Sequence, residues 1–152
     1  MNKTSPSPRP LAALILAAGK GTRMGSPLAK VLHPLDNRPM IQFSIDLAEK
    51  LGADPVVLVV GHQKDAVMDA VRNRKVLFAE QNEQRGTGHA VAQAGECLRS
   101  FPGDILILCG DVPLLKEKTL EALIGHHGST GAAVTVLTTV LDDPGRYGRV
   151  VK

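Results

Sequence analysis

Short apolar runs recur along this chain at Leu11 to Ala17, Val56 to Val60, Val76 to Ala79, Ile105 to Cys109 and Ala133 to Val140, with helix-period segments between them. No other feature of the sequence constrains the fold as strongly. Runs of this length, rich in Val, Ile and Leu and bounded by Gly, Pro or Asp, read as strands that are apolar on both sides. Such strands need cover on both faces. The order strand, helix, strand supplies it, because right-handed crossovers join parallel neighbours and lay helices over the sheet. The expected fold class is α/β, a mostly parallel sheet with helices on both faces.

The clearest helical pattern is "PMIQFSIDLAEKLG". Pro39 suits a first helical turn, Met40, Ile41, Ser44, Leu47, Ala48 and Leu51 fall on one face, and Gly52 supplies the stop. Weaker patterns cover Lys64 to Arg72, Gly88 to Arg99 and Lys116 to His127. In open parallel sheets ligands sit beyond the carboxyl ends of the strands. Function should therefore concentrate at Ala18 to Lys30, Gly61 to His62, Glu80 to Gly88 and Gly110 to Leu114.

With 152 residues and 43% hydrophobic content, the chain can bury one core. We expect a disordered Pro/Ser-rich tail over residues 1–10 and one domain over 11–152. The net charge of +3 shrinks once the tail is set aside: of 18 cations, Lys3 and Arg9 lie there, which leaves 16 against 15 acids. Nucleic acid and anionic membrane are thus not expected partners. The apolar runs stop far short of the ~18 residues of a membrane span, and prolines stand where a signal peptide would have its apolar core. A cytoplasmic chain is expected, with Cys97 and Cys109 as reduced core thiols.

The first apolar run breaks into "AAGKGTRMG". Glycine-rich turns after a first strand let backbone amides approach phosphate oxygens. A P-loop needs Ser or Thr directly after Gly-Lys, and Gly21 follows Lys20 instead. The dinucleotide fingerprint needs glycine where Met24 stands. What remains is Gly19 and Gly21 for close approach, Arg23 as a planar fork of donors and Lys30 as a point charge, a set suited to a polyphosphate. The competing reading is a capping turn with solvated cations.

"LAAGKGTRM" followed by "LAKVL" resembles the signature of sugar-phosphate nucleotidyltransferases. "QNEQRGTGHA", "CGDVPL" and "DDPGRYGR", met in the same order, narrow the resemblance to the N-acetylglucosamine-1-phosphate uridyltransferase family. One departure is visible: the family usually has proline before the lysine, and this chain has Ala29. The resemblance implies a Rossmann-like nucleotidyltransferase fold, truncated at its C-terminal end, and a Mg²⁺-dependent reaction. UTP and N-acetylglucosamine 1-phosphate would give UDP-N-acetylglucosamine, a peptidoglycan precursor, and pyrophosphate. The alternatives are another sugar-phosphate or small-molecule nucleotidyltransferase and a non-catalytic nucleotide-binding fragment.

By the same resemblance Arg23 and Lys30 are catalytic, and Leu16, Ala17, Ala18, Gly19, Lys30, Gln81 and Gly86 bind nucleotide. Thr87, Cys109, Gly110 and Gly148 fall on the sugar side. A Gln amide holds both a donor and an acceptor, which suits a pyrimidine edge; otherwise Gln81 is a solvated loop residue. Thr87 also reads as the N-cap of the next helix. Asp111 follows a strand by two residues and is the candidate Mg²⁺ ligand, since one well-placed carboxylate can anchor that ion beside phosphate oxygens; the plainer reading is a turn former. The family's second metal ligand, an asparagine, comes from a later segment. His89 has no acid near it in sequence and reads as structural, and a sugar phosphate already ionised at neutral pH needs no base.

Overall fold

In the computed structural model of the chain the described residues are 9–21, 24–145 and 147–151. Four strands form one parallel sheet: β1 (Leu11–Leu16), β4 (Val56–Val60), β5 (Leu77–Glu80) and β6 (Asp104–Cys109), in the order β5-β4-β1-β6. Leu11 to Leu16 pair with Asp104 to Cys109, Ala13 to Leu16 with Val56 to Val59, and Val57 to Val60 with Leu77 to Glu80. The chain therefore builds outward on one side of β1 and then crosses to its other side. That reversal places the crevice for a ligand between the ends of β1 and β6.

The two central strands are closed on both faces, as their unbroken apolar runs require. Ala12 to Ile15 and Val56 to Val60 are all buried. One face packs on α3 (Thr87–Gln93) and α4 (Gly95–Leu98), where Ala12, Leu14, Val57, Val59 and Ala79 meet Ala90, Ala94 and Leu98. Strand residues alternate in direction, so Ala13, Ile15, Val56, Leu58 and Val60 point to the opposite face. There α1 (Met40–Lys50) and α2 (Lys64–Ala70) contact the central strands, with Ile41, Ile45 and Val67 fully buried. The inward face of α1 is Ile41, Ser44, Ile45 and Ala48. It is rotated from the sequence expectation, which chose Met40 and Leu47 over Ile45.

The edge strand departs from its apolar reading. Ile105 is 45% exposed and Ile107 49%. They share a face with their partners Ala12 and Leu14, and α3, which covers that face, packs on β1 and β4. Cys109 follows the same parity through its partner Leu16, so it is exposed and not a core thiol; Cys97 is partly buried, and both are free. Arg9 and Pro10, assigned to the tail by composition, are held against β6: Arg9 pairs with Asp104 at 2.9 Å, and the Asp104 amide donates to the Pro10 carbonyl. Residues 1–8 of the expected tail lie outside the described residues.

Between β1 and α1 the chain makes a 3-10 turn at Lys30–Leu32 and a small antiparallel pair, β2 (Pro34–Leu35) with β3 (Arg38–Pro39). Asp36 and Asn37 take positive φ values at its tip, the backbone that two-residue hairpins need. The chain divides into two compact units, Met1–Glu117 and Lys118–Lys152. The second holds most of α5 (Glu117–Thr130). The strand expected at Ala133 to Val140 is not formed, and Val134, Val136 and Val140 are exposed. Alternating apolar residues make a strand only where another strand satisfies their backbone groups, and no described strand pairs with them. Among the described residues no helix is long and apolar enough to cross a membrane.

Candidate functional site

The carboxyl ends of β1, β5 and β6 open onto one cleft of about 500 Å³ in the first unit. Leu16, Ala17, Ala18 and Gly19 form its floor after β1, Gln81, Gly86 and Thr87 its wall after β5, and Cys109 and Asp111 its side after β6. Lys30 reaches the same space from the 3-10 turn. Segments up to 95 positions apart thus converge because each follows, or packs beside, the same edge of the sheet.

The glycine loop separates into two roles. A Cβ on Gly19 would meet nothing within 4 Å, so its backbone faces open cleft. Gly21 has φ +65, and a Cβ there would lie 2.8 Å from Lys30 Cβ. Only glycine combines that backbone with that approach. Arg23, the forked donor of the loop, lies outside the described residues.

Lys30 Nζ donates to Asp111 Oδ2 at 2.5 Å, with both side chains about one-third exposed. The cation and the candidate metal ligand, 81 positions apart, are therefore direct partners. Cys109 sits beside them. Partial desolvation holds its thiol above the ordinary value, the Asp111 carboxylate adds to this, and Lys30 opposes it. Gly110 is not part of the cleft lining. It is buried, its amide donates to Leu16 O at 3.0 Å, and a Cβ would press on Ile41, Val31 and that carbonyl. Its smallness serves the packing that turns Asp111 into place.

Gln81 is 3% exposed and is not a solvated loop residue. Its amide Nε2 donates to Gly86 O at 3.1 Å and faces His89 Nδ1 at 3.0 Å. Gly86 is also the N-cap of α3, with φ 98, and its carbonyl accepts from the Ala90 amide. The N-cap role expected of Thr87 belongs to Gly86, and Thr87 begins the helix on the cleft wall. Gly148 lies in the second unit, in a stretch without regular structure.

Three residues had no role assigned from sequence. Lys20 and Gln84 line the cleft. Gln63, in the left-handed region at φ 54, accepts from the buried Ala29 amide at 2.7 Å and donates to Pro27 O at 2.7 Å. It clamps the segment that delivers Lys30. The only sequence signal was Ala29 itself: proline has no N–H to donate.

Asp111 is the described carboxylate on the cleft wall, and among the described residues no three His, Cys, Asp or Glu side chains gather for a metal. This donor set suits a hard ion held chiefly by phosphate oxygens and water, with one protein carboxylate as anchor. It does not suit an all-protein metal cage.

A parallel sheet with a glycine loop, a cation–carboxylate pair and a buried amide at its carboxyl edge defines a nucleotidyltransferase domain, and the comparisons agree. Residues 13–147 match the MobA-like NTP transferase domain family, and the chain belongs to it. It is 54% identical over 143 residues to "Bifunctional protein GlmU" of Geobacter metallireducens, covering 93% of this chain and 30% of that protein. The corresponding protein of Pelobacter propionicus is 55% identical, with 93% and 31% covered. The chain thus spans about a third of the length of these curated relatives. Among solved structures, a nucleotidyl transferase from Methanothermobacter thermautotroptrophicus matches with a TM-score of 0.63 at 26% identity, covering 76% of this chain and 57% of that one. UDP-glucose pyrophosphorylase from Acinetobacter baumanii shares the fold with a TM-score of 0.69 at 20% identity, covering 81% and 54%.

Proposed function

We propose that this domain binds UTP in the cleft and transfers its uridylyl group to N-acetylglucosamine 1-phosphate, giving UDP-N-acetylglucosamine and pyrophosphate. One observation carries the reading. The glycine loop, the Lys30–Asp111 pair and the buried Gln81 amide share a single cleft, in a chain about half identical to proteins named GlmU.

In the reaction a phosphate oxygen of the sugar phosphate forms a bond to the α-phosphorus of UTP, and the bond to the pyrophosphate oxygen breaks. Such transfer needs little covalent help and depends on alignment and on neutralising charge. The floor from Leu16 to Gly19 lets the nucleotide lie close to the backbone, with the uracil toward Gln81 and Gly86. Lys30 supplies positive charge to the phosphates, and Arg23 takes the same role on the strength of its motif. The attacking phosphate carries its own negative charge, so His89 is not asked to remove a proton. Thr87 and Cys109 border the side left for the sugar.

Asp111 would hold Mg²⁺ when it is bound, and the ion would supply charge neutralisation at the phosphates. The carboxylate that would hold the ion is the one Lys30 already pairs with at the cleft.

Titration calorimetry of the chain with UTP, CTP and GTP, each with and without Mg²⁺, tests the reading. UTP should bind preferentially and more tightly with Mg²⁺, and Asp111→Asn should remove the metal dependence. Equal binding of all three nucleotides would favour a general nucleotide-binding module. A preference for CTP or GTP would favour another nucleotidyltransferase. An unchanged Mg²⁺ response in Asp111→Asn would make Asp111 a turn former. A pyrophosphate-release assay with N-acetylglucosamine 1-phosphate then separates binding from transfer.

A further inference from the structure

We infer that His89 is a specificity-determining positioning residue: it locks the Gln81 amide with its oxygen toward the cleft, so that the site accepts a hydrogen bond from the base. This rests on the nucleotide reading above and assigns to a side chain the choice between pyrimidines.

The inference follows from which groups can donate. Gln81 Nε2 lies 3.1 Å from the Gly86 carbonyl, and a backbone carbonyl only accepts. The amide NH₂ must therefore face Gly86, and the same NH₂ lies 3.0 Å from His89 Nδ1. Two donors cannot satisfy each other, so Nδ1 is the bare acceptor and the neutral ring carries its proton on Nε2. Nε2 faces the Gln93 side-chain amide at 3.3 Å, whose nitrogen also lies 3.3 Å from the His89 carbonyl. A neutral ring cannot accept at both nitrogens, so one of the two amides must turn. The contacts of the 3% exposed Gln81 are the shorter and more buried. The Gln93 amide is the one that turns its oxygen to the ring, giving up its contact to the His89 carbonyl.

With both NH₂ protons engaged, the Gln81 amide presents its oxygen elsewhere. That oxygen has no partner among the described residues, yet among them the one fully enclosed side-chain polar atom without a partner is His33 Nε2. Gln81 Oε1 therefore keeps access to the cleft that the residue lines. Uracil presents an N3–H donor between two carbonyls, whereas cytosine presents a bare N3 in the same place. An oxygen held there selects uracil. A Gln free to flip would offer an NH₂ equally well and lose the distinction.

The experiment measures UTP and CTP affinity by titration calorimetry for the wild-type chain, His89→Leu and His89→Asn, each checked by thermal melting. Wild type should prefer UTP by at least about tenfold, the scale of one well-placed hydrogen bond. His89→Leu should bring the ratio near unity. His89→Asn, whose Oδ1 places an acceptor where Nδ1 was, should restore it. A ratio unchanged in His89→Leu, or both nucleotides weakened in proportion with no rescue by Asn, overturns the inference and makes His89 a packing residue. Independently of any variant, the ¹⁵N spectrum of wild type must show His89 as the Nε2–H tautomer; an Nδ1–H tautomer also overturns it. A UTP preference in wild type that His89→Leu leaves intact defeats this inference alone, whereas a wild type that binds no UTP, or does not distinguish it from CTP, defeats the proposed function beneath it as well.

Discussion

Replacing Gln63 by Ala and Ala29 by Pro, singly and together, tests whether Gln63 is the clamp that holds the Lys30 segment. Ala29 is fully buried, and its amide donates to Gln63 Oε1 at 2.7 Å. Gln63→Ala keeps a Cβ at φ 54, so backbone strain is the same in both chains and cancels. What changes is the acceptor. A buried N–H left unpaired costs about 1–3 kcal/mol, and Pro27 O, on the exposed side of the clamp, recovers a water. Because Gln63 is itself exposed, water partly enters the vacated space, and about 2 kcal/mol is expected for the single substitution. Ala29→Pro fits the backbone already present, since Ala29 has φ −54 and ψ 137. It displaces the Gln63 amide into solvent and removes the donor outright, so its cost should stay within about 1 kcal/mol. In the Ala29→Pro background Gln63→Ala has no N–H to orphan and should cost almost nothing. The chain has no tryptophan and one tyrosine, so urea denaturation followed by far-UV circular dichroism is the suitable assay. Effects that add within about 0.5 kcal/mol would refute the argument, because independent sites behave that way.

Gly21→Ala should lower stability by about 1–2 kcal/mol from the left-handed backbone alone, and the new Cβ, 2.8 Å from Lys30 Cβ, should displace that lysine. UTP affinity should fall at least about tenfold; an unchanged calorimetric titration would show that Lys30 does not meet the nucleotide. The second prediction concerns acid. Burial alone would raise the Asp46 carboxyl, but hydrogen bonds from Arg38 and Arg74 outweigh it and hold the group below its ordinary value. A carboxyl depressed in the folded state adds stability above its unfolded pKa of about 4, and loses it as pH falls through the folded value. For this partly exposed cluster about 1 kcal/mol is expected after solvent screening. Urea midpoints of wild type should therefore drop more between pH 6 and pH 3 than those of Asp46→Asn, and parallel curves would exclude the cluster as a source of acid sensitivity.

The elements were legible where sequence-local physics sets them. Val56 to Val60 read as a doubly buried strand and is one, because five consecutive apolar residues have no polar face to turn outward. Gly52, with φ +73, ends α1 where its stop was expected. The run at Ile105 to Cys109 was equally apolar, yet only Leu106 and Leu108 are buried while Ile105 and Ile107 stand half exposed, because coverage by α3 and α4 depends on where those helices land on the sheet. Ala133 to Val140 looked like a strand and is none, since pairing is not a property of one segment. Of the residues named by motif, Leu16 to Gly19, Lys30, Gln81, Gly86, Thr87, Cys109 and Asp111 line the cleft, yet their partnerships were invisible. Nothing in the spacing announced that Lys30 would pair with Asp111, or that His89, read as structural, would face the Gln81 amide.

The sequence by itself determined the four strands of the parallel sheet and the helices between them, their parallel sense, and which turns gather at its carboxyl edge. These follow from hydrophobic period, breakers and the handedness of crossovers, all of which act over neighbouring residues or single connections. Tertiary structure alone decided the strand order, the exposure of Cys109, the clamp on Ala29 and the direction of the Gln81 amide. Each of those is a contact between groups far apart in the chain, and its existence depends on distances of a few ångströms that only the folded packing sets.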